Sequence, residues 1–278
     1  MTAPGMTRVI HVIIVSYNTR DELLACLSSL GQNPQASIER VTVVDNASTD
    51  GTVDAVRQAH PAVEFISLDR NAGFGAANNV AARQSRSDFL LFLNSDTVVR
   101  GAAIDTLLAR LLSAGAVAAG PRLVDTAGRP EVSFGSMLTP WSEFLQRLRH
   151  RRSASDSPSA RRSTDRLVSE ERRVDWVSGA CLLVNREAML KAGGFDERYF
   201  MYEEDVDLCA ALRAQGGSIL FTPAAEVTHL RGRSVSRQPS TASPSHYDRS
   251  HVAFYEKHAP HWAPWLRRWL RWRGRPIE

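Results

Sequence analysis

The sequence predicts an α/β fold with a doubly wound, mostly parallel sheet. Short, almost continuous apolar runs are typical of strands buried on both faces, and they cover residues 9–15, 41–44, 63–68, 89–93 and 116–119. Stretches with helical character separate them, at residues 21–30, 52–59, 76–84 and 102–112. Strands that alternate with helices predict right-handed crossovers and a parallel sheet. Polar residues follow several of the strands directly, and ligands of such sheets bind at the carboxyl ends of the strands.

The second half of the chain continues the alternation less regularly. We predict one strand at 176–184, helices at 186–192 and 203–214, and two short strands at 218–222 and 226–230. Before them, residues 147–173 are rich in arginine and serine with few apolar side chains, which favours a mobile insertion. An insertion without any function is an equally good interpretation of this segment.

Composition limits the function classes. With 278 residues and 43% hydrophobic residues, the chain is long enough for a full α/β core. The net charge is only +4, but the arginines are clustered, which indicates anionic partners such as phosphates or lipid head groups. The widely spaced Cys26, Cys181 and Cys209 predict neither a disulfide framework nor a zinc site, and they fit a reducing, cytoplasmic compartment. No apolar run approaches the roughly 20 residues that span a bilayer.

Candidate nucleotide-binding residues follow the first three strands. Strand one ends in Val15-Ser16-Tyr17-Asn18, and strand two ends at Asp45, whose carboxylate can accept hydrogen bonds from a base or a ribose. The alternative for Asp45 is a turn, and for Asp50 we favour a helix cap. After strand three, the small-residue turn at 70–79 (RNAGFGAANN) allows the backbone to approach a phosphate closely.

The fourth strand ends in Asn94-Ser95-Asp96, which places a carboxylate at the edge of the sheet. Mg²⁺ and Mn²⁺ prefer oxygen ligands and commonly combine one or two carboxylates with phosphate oxygens. Asp96 is therefore our candidate metal ligand, with a helix cap as the alternative. His229 can complete the metal shell, or it is simply structural.

An acidic cluster at residues 203–207 begins a predicted helix. Acidic residues are common at helix N-termini because of the dipole, but side chains at 204, 205 and 207 point in different directions, so that at least one should face the crevice. Asp205 is our candidate general base.

Taken together, the motifs resemble the inverting glycosyltransferases of family 2, which have the GT-A fold, and in particular their rhamnosyltransferase and galactofuranosyltransferase members. The resemblance covers residues 8–235. It rests on an ordered series of motifs: VSYN at 15–18, VVDNASTDG at 43–51, RNAGFGAANN at 70–79, NSD at 94–96, VSGACLLVNR at 177–186, GGFDERYFMYEEDVDLC at 193–209 and THLRGRS at 228–234.

The resemblance implies specific roles for residues of this chain. The nucleotide-sugar would lie on residues spread over these motifs, namely Val15, Tyr17, Asp45, Asn71, Gly73, Asn94, Ser95, Gly179, Arg231 and Ser234. Asp96 and His229 would bind Mg²⁺ or Mn²⁺, Asp205 would be the catalytic base, and Trp176 and Glu204 would lie on a smaller acceptor-side subregion. Many family members carry Asp-x-Asp where this chain has Asn94-Ser95-Asp96, so the metal depends more heavily on Asp96.

A C-terminal helical extension is predicted at residues 246–278. At about 100° per residue, Trp262, Trp265, Trp269 and Trp272 fall within roughly 80° of one another, opposite several arginines. This pattern is typical of a helix at a membrane interface. A helix packed on the core or at a homodimer contact is the competing interpretation.

The predicted function is the transfer of a sugar to a lipid-linked or cell-envelope glycan at the inner face of the cell membrane. The favoured donor is dTDP-rhamnose, which supplies L-rhamnose, and the favoured acceptor is linked to a polyprenyl diphosphate. The alternatives are a galactofuranosyltransferase or another UDP- or dTDP-sugar transferase, and a noncatalytic sugar-nucleotide or lipid-binding protein. A nucleotidyltransferase would carry a glycine-rich loop after strand one, which is absent here. Nucleic acid is not an expected partner, because the arginine runs lack a recognisable binding module.

Overall fold

The computed structural model describes residues 9–33, 35–143, 158–230 and 242–275. Its strands are β1 Ile10–Ser16, β2 Ile38–Asp45, β3 Glu64–Ser67, β4 Phe89–Asn94, β5 Thr97–Val99, β6 Ala118–Val124, β7 Pro130–Glu131, β8 Phe134–Gly135, β9 Arg172–Val174, β10 Trp176–Val177, β11 Cys181–Asn185 and β12 Ile219–His229. Its helices are α1 Arg20–Gln32, α2 Thr52–Ala59, α3 Phe74–Gln84, α4 Ala103–Ala114, α5 Pro158–Leu167, α6 Arg186–Lys191, α7 Glu204–Ala214, α8 Ala242–His258 and α9 Ala263–Trp272.

The main sheet is mostly parallel, as predicted. Its strand order is β3-β2-β1-β4-β11-β6-β12-β5, and β7 and β9 pair beside β6 and β12. Strands β1 to β4 are parallel to one another, whereas β11 runs antiparallel between β4 and β6. In register, Ser16 lies opposite Asp45 and Val15 lies opposite Asn94. The ends of these strands are therefore level, and the loops that follow them share one edge.

Helices cover both faces of the sheet because successive strand residues point to opposite sides. On β1, Val12 and Ile14 belong to one apolar cluster with α1 and α4, and Ile13 belongs to a second cluster with α3 and α7. The strand residues of both clusters are buried, which explains why the strands have continuous apolar sequences rather than alternating ones.

The second half differs from the prediction in three places. The strand expected at 176–184 is two strands, β10 and β11, separated by a turn that contains Gly179. The two strands expected at 218–230 form the single strand β12, with a register shift between Thr222 and Glu226. Within the expected insertion at 147–173, the described part contains α5 and β9, and β9 pairs with β12. Backbone pairing thus organises a segment whose composition predicts a loop.

The C-terminal helices pack on the domain through a third apolar cluster. Leu266 and Leu270 of α9 lie there with Phe254 of α8 and Tyr199. Burial of each leucine contributes roughly 1.5–3 kcal/mol, more than the exposed ion pair between Arg267 and Glu256. Apolar contact therefore fixes α9.

Three of the four tryptophans of this segment, Trp262, Trp265 and Trp272, remain exposed, whereas Trp269 is half-buried and packs against the third apolar cluster. One face of α9 thus packs on the protein, and docking of the exposed tryptophans on a membrane stays a prediction. Within the described ranges, no helix is long and apolar enough to cross a membrane.

Candidate active site

Asn46 joins the loops that follow β2 and β3. Its amide nitrogen donates to Asn71 Oδ1 at 2.8 Å and to the carbonyl of Gly73 at 3.2 Å. Its amide oxygen accepts the N–H of Ala72 at 2.8 Å. The Oδ1 atom of Asn71 thus helps to shape this loop, and it also accepts the N–H of Gly73. The predicted role of Asn71 in lining the nucleotide-sugar pocket stays a prediction.

Asp45 is buried at the end of β2 and has one unused acceptor. Its Oδ2 accepts the N–H of Ser48 at 3.1 Å, whereas Oδ1 has no hydrogen-bond partner among the described residues. A buried acceptor without a partner is costly unless a ligand supplies a donor. Val15 and Tyr17 are half-buried beside it at the end of β1. This environment suits an N–H or hydroxyl donor of a nucleoside.

Gly73 allows the loop after β3 to contact the segment that leads into α7. Its φ is +88°, and a Cβ atom there would lie 2.3 Å from the carbonyl oxygen of Phe200. The next residue, Phe74, donates its N–H to that same oxygen at 3.0 Å. Only glycine fits this close approach, which brings the start of α3 beside the start of α7.

Hydroxyl groups connect the loops after β1 and β4. Thr19 contacts Ser16 at 3.0 Å and Ser95 at 2.8 Å through side-chain oxygens. Asn94 ends β4 and donates its N–H to the carbonyl of Ala180 at 3.0 Å. The NSD motif is therefore held from two sides, by the first strand and by the turn before β11.

Asp96 and His229 lie together at the ends of β4 and β12. His229 Nε2 is 3.3 Å from Asp96 Oδ1, and its Nδ1 is 3.3 Å from Glu131 Oε2. Burial alone lowers the pKa of His229, but hydrogen bonds to the two carboxylates outweigh it and raise the pKa to about 9. The described residues contain no cluster of three or more His, Cys, Asp or Glu side chains arranged to hold a metal ion. Asp96 and His229 would thus form a partial shell, to be completed by ligand oxygens.

Asp205 lies in the first turn of α7 and contacts the turn between β10 and β11. Its Oδ2 accepts the N–H of Gly179 at 2.7 Å, and its Oδ1 accepts the N–H of Val206 at 2.8 Å. Burial raises the pKa of Asp205, although these backbone donors act in the opposite direction. A larger residue at position 179 would be crowded, because an added Cβ atom would lie 3.3 Å from the Phe74 ring and 3.4 Å from Asp205 Cβ.

Glu204 and Trp176 flank Asp205. Glu204 is buried, its Oε2 has no hydrogen-bond partner within the described ranges, and burial together with the neighbouring Asp205 charge raises its pKa well above the usual value. Trp176 is half-buried on β10 and donates its indole N–H to Ser136 at 3.0 Å. Because the two buried carboxylates are neighbours, they titrate as a pair.

Asp96 and Asp205 belong to one edge of the sheet. Gly179, which binds the Asp205 carboxylate, precedes Ala180, which accepts the N–H of Asn94. Asn94 is two residues from Asp96. The two carboxylates, far apart in sequence, are thus linked through the ends of β4 and β11.

Some residues of the site were not predicted, and some predicted ones are not described. Arg231 and Ser234 lie outside the described residues. From the sequence we predict no site role for Asn46, although it stands inside the motif at 43–51. No local sequence signal indicates Glu131 beside His229, because β7 reaches β12 only through the tertiary fold.

Comparison with known proteins identifies the family of this chain. Glycosyltransferase-like family 2 matches residues 7–252. An N-acetylglucosaminyl-diphospho-decaprenol L-rhamnosyltransferase of Mycobacterium tuberculosis is 33% identical over 96% of this chain and 90% of its own length. The rhamnosyltransferase WbbL of Escherichia coli is 25% identical over 80% of this chain and 83% of its own.

Solved structures confirm the fold. A mannosyltransferase of Pyrobaculum calidifontis, in complex with GDP-Man and Mn²⁺, has a TM-score of 0.60 at 18% identity, covering 95% of this chain and 69% of that one. GalNAc-T7 with UDP, GalNAc and Mn²⁺ has a TM-score of 0.59 at 16% identity, covering 80% of this chain but only 43% of that one. From the family match, the relatives and the GT-A architecture, the chain belongs to glycosyltransferase family 2 and is a glycosyltransferase.

Proposed function

We propose that this protein transfers L-rhamnose from dTDP-rhamnose, with inversion, to a polyprenyl-diphosphate-linked sugar. The rhamnosyltransferase of M. tuberculosis, which matches almost the whole chain, supports the sugar and the acceptor class. The observation that carries the chemistry is the Asp205 carboxylate, bound to Gly179 at the same edge of the sheet as Asp45 and Asp96.

In the proposed reaction, Asp205 takes the proton of the acceptor hydroxyl. The acceptor oxygen forms a bond to the anomeric carbon, and the bond from that carbon to the phosphate oxygen breaks. Its electron pair leaves with the nucleoside diphosphate. A single in-line displacement inverts the anomeric configuration and needs no covalent intermediate. The raised pKa of Asp205 favours proton acceptance, because a base works best when its pKa approaches the working pH.

A divalent cation fits the residues at Asp96. His229 presents one ring nitrogen to Asp96 and the other to Glu131, and a carboxylate behind a ligating histidine is the usual support of a metal site. Asp96 and His229 would hold Mg²⁺ or Mn²⁺, which when bound would neutralise the charge of the diphosphate. The Mn²⁺ in the two structural neighbours supports this assignment.

A donor screen tests the proposed function. Purified protein is given dTDP-rhamnose, UDP-galactofuranose and other UDP-sugars with a short-chain polyprenyl-diphosphate acceptor, and nucleoside diphosphate release is measured with and without Mg²⁺ or Mn²⁺. We expect turnover with dTDP-rhamnose that requires the cation. Turnover only with UDP-galactofuranose would overturn the donor assignment, and no turnover with tight nucleotide binding would favour a binding protein.

Replacement of Asp205 by Asn tests the base. We expect turnover to fall by roughly 10²–10⁴-fold, while calorimetric binding of dTDP is unchanged, because Asp205 contacts the acceptor side rather than the nucleotide. Asp54→Asn, an exposed position on α2, is the matched control and should retain full activity. An Asp205→Asn variant with ordinary turnover would exclude Asp205 as base.

We also propose that the aromatic face of α9 docks on an anionic lipid surface, where a lipid-linked acceptor resides. Trp262, Trp265 and Trp272 are 40%, 54% and 83% exposed, and Arg268 and Arg271 are exposed on the same helix. Indole rings at head-group depth with arginines on anionic lipid are typical of interfacial helices.

Vesicle co-sedimentation tests this docking. A triple Trp→Gln variant at 262, 265 and 272 should lose binding to phosphatidylglycerol vesicles. Trp141→Gln, which removes a tryptophan that is 69% exposed outside α9, should bind like the unaltered protein. Equal binding by the triple variant would exclude α9 as the docking face.

A further inference from the structure

We infer that α8 is a positioning element for the catalytic aspartate: His251 and His258 hold the residues on either side of Asp205 and so fix where its carboxylate lies. This inference rests on the proposed function, in which Asp205 is the base. None of these α8 side chains is bound to Asp205 itself, so their effect would be indirect.

On the N-terminal side of Asp205, α8 binds a strained segment. Tyr202 and Glu203 have φ values of 72° and 67°, a conformation that costs non-glycine residues of order 1–3 kcal/mol and persists only when the surroundings enforce it. The buried His251 supplies that enforcement, with Nδ1 3.0 Å from Glu203 Oε1. Ser250 adds a hydrogen bond of 2.8 Å to the carbonyl of Met201.

His251 is in turn anchored on its other side. Its Nε2 is 3.2 Å from Glu143 Oε2, and Tyr255 donates to Glu143 Oε1 at 2.5 Å. Burial alone lowers the pKa of His251, but the neighbouring carboxylates of Glu143 and Glu203 outweigh it and raise the pKa to about 9. The His251 side chain, held between Glu143 and Glu203, therefore clamps the turn that immediately precedes Glu204 and Asp205.

On the C-terminal side, α8 binds Asp207. This carboxylate is buried and lies 2.6 Å from His258 Nε2 and 2.8 Å from Lys257 Nζ. Tyr199 donates to it at 3.3 Å. Asp207 also donates its N–H to the carbonyl of Glu203, which closes the first turn of α7.

These contacts fix the orientation of the first turn of α7. Asp205 can accept the N–H of Gly179 only if the first turn of α7 has one particular orientation about the helix axis. The left-handed Tyr202 and Glu203 set that orientation, and α8 holds it through Glu203 and Asp207. A misplacement of about 1 Å can lower a catalytic rate roughly 10²-fold without loss of binding. The nucleotide-facing residues Asp45 and Asn46 lie on other loops, so a positioning role predicts a selective loss of turnover.

The test compares His251→Gln, His258→Ala and His258→Gln with Arg249→Gln, a control at an exposed position of the same helix. For each variant, kcat, donor KM and calorimetric dTDP affinity are measured well below its unfolding temperature, with the sugar nucleotide that the unaltered protein uses. We expect kcat to fall about 100-fold for His251→Gln and about tenfold for His258→Ala. Donor KM and dTDP affinity should stay within about twofold.

Rescue distinguishes positioning from general destabilisation. His258→Gln keeps a donor for Asp207 and should recover most of the kcat lost in His258→Ala, and this pair decides the question if His251→Gln does not fold. The inference is overturned if both His258 variants turn over like Arg249→Gln, or if dTDP affinity weakens as much as kcat falls. If Asp205→Asn is fully active, the proposed base fails instead, whatever the α8 variants do.

Discussion

The proposed nucleotide-facing and catalytic regions of this glycosyltransferase are held in place by different forces. The loops after β1 to β4 are joined by neutral hydrogen bonds over short distances, chiefly from Asn46 and Thr19. The start of α7 is held by charged groups of a helix some fifty residues later, where His251 pairs with Glu203. A parallel sheet brings its own strand ends together, whereas the catalytic turn needs support from outside the sheet.

The largest expected effect comes from breaking the junction between these regions. Gly73→Ala would place a Cβ atom 2.3 Å from the Phe200 carbonyl oxygen at a φ of +88°. Left-handed strain and overpacking, each about 1–3 kcal/mol, should together lower the free energy of unfolding by roughly 2–6 kcal/mol. Urea unfolding measures this.

Gly51→Ala is the control for Gly73→Ala, because Gly51 has a φ of +80° but no atom within 4 Å of the added Cβ. It should show only the strain, about 1–3 kcal/mol. Equal losses in the two variants would show that the contact with Phe200 does not matter.

The second effect concerns the charged clamp of the catalytic region. His251→Gln leaves Glu143 and Glu203 buried without their cation and should cost roughly 3–5 kcal/mol near neutral pH. The pKa of His251 is raised from 6.5 to about 9, so its stabilising contribution is complete below pH 6.5 and is lost as pH rises through about 9.

Urea unfolding of both proteins at pH 6.5 and pH 9.5 checks this linkage. The difference in unfolding free energy between unaltered protein and His251→Gln should shrink at the higher pH. His229, whose pKa is also raised, is present in both proteins and cancels. A difference that is constant with pH would mean that His251 is not charged in the folded state.

A smaller and more specific effect is expected in the nucleotide-facing region. Asn46→Ala removes the bonds to Asn71, Ala72 and Gly73 and should cost about 1–3 kcal/mol of stability. It should also weaken dTDP binding about tenfold, because the loop beside Asp45 loses its support. A tenfold weakening corresponds to about 1.4 kcal/mol of binding free energy.

Asn33→Ala is matched to Asn46→Ala because Asn33 also bonds to backbone groups, but at the C-terminal end of α1. It should lose similar stability and keep full dTDP affinity. Calorimetry decides, and equal weakening in both variants would argue against a local role of Asn46.

The smallest effect should come from an ion pair outside both regions. Arg110 binds Glu171 through two contacts of 2.9 and 2.6 Å, but its side chain is 45% exposed. Arg110→Ala should cost less than about 1 kcal/mol in urea unfolding. A larger loss would show that surface charge, and not only the buried clamp, stabilises this domain.

Sequence reasoning located the strand-end residues well because their positions follow from periodicity. Asp45, Asn94 and Asp96 stand directly after apolar runs, and parallel strands bring such positions to one edge. It was less successful where pairing is antiparallel or composition misleads. The sequence predicts one strand where the structure has β10 and β11. It predicts a loop where the structure has α5 and β9, since an arginine-rich composition does not reveal that β9 can pair with β12.

By itself, the sequence determined the α/β architecture, the order of the motifs and the aromatic face of α9, since each follows from local spacing. Only the tertiary structure decided that Glu131 lies behind His229 and that α8 holds the turn before Asp205. Those contacts join residues about 50 to 110 positions apart, and no local pattern encodes which buried carboxylate a distant histidine will meet. Packing selects the partners, because a buried charge is tolerated only where an opposite charge is placed beside it.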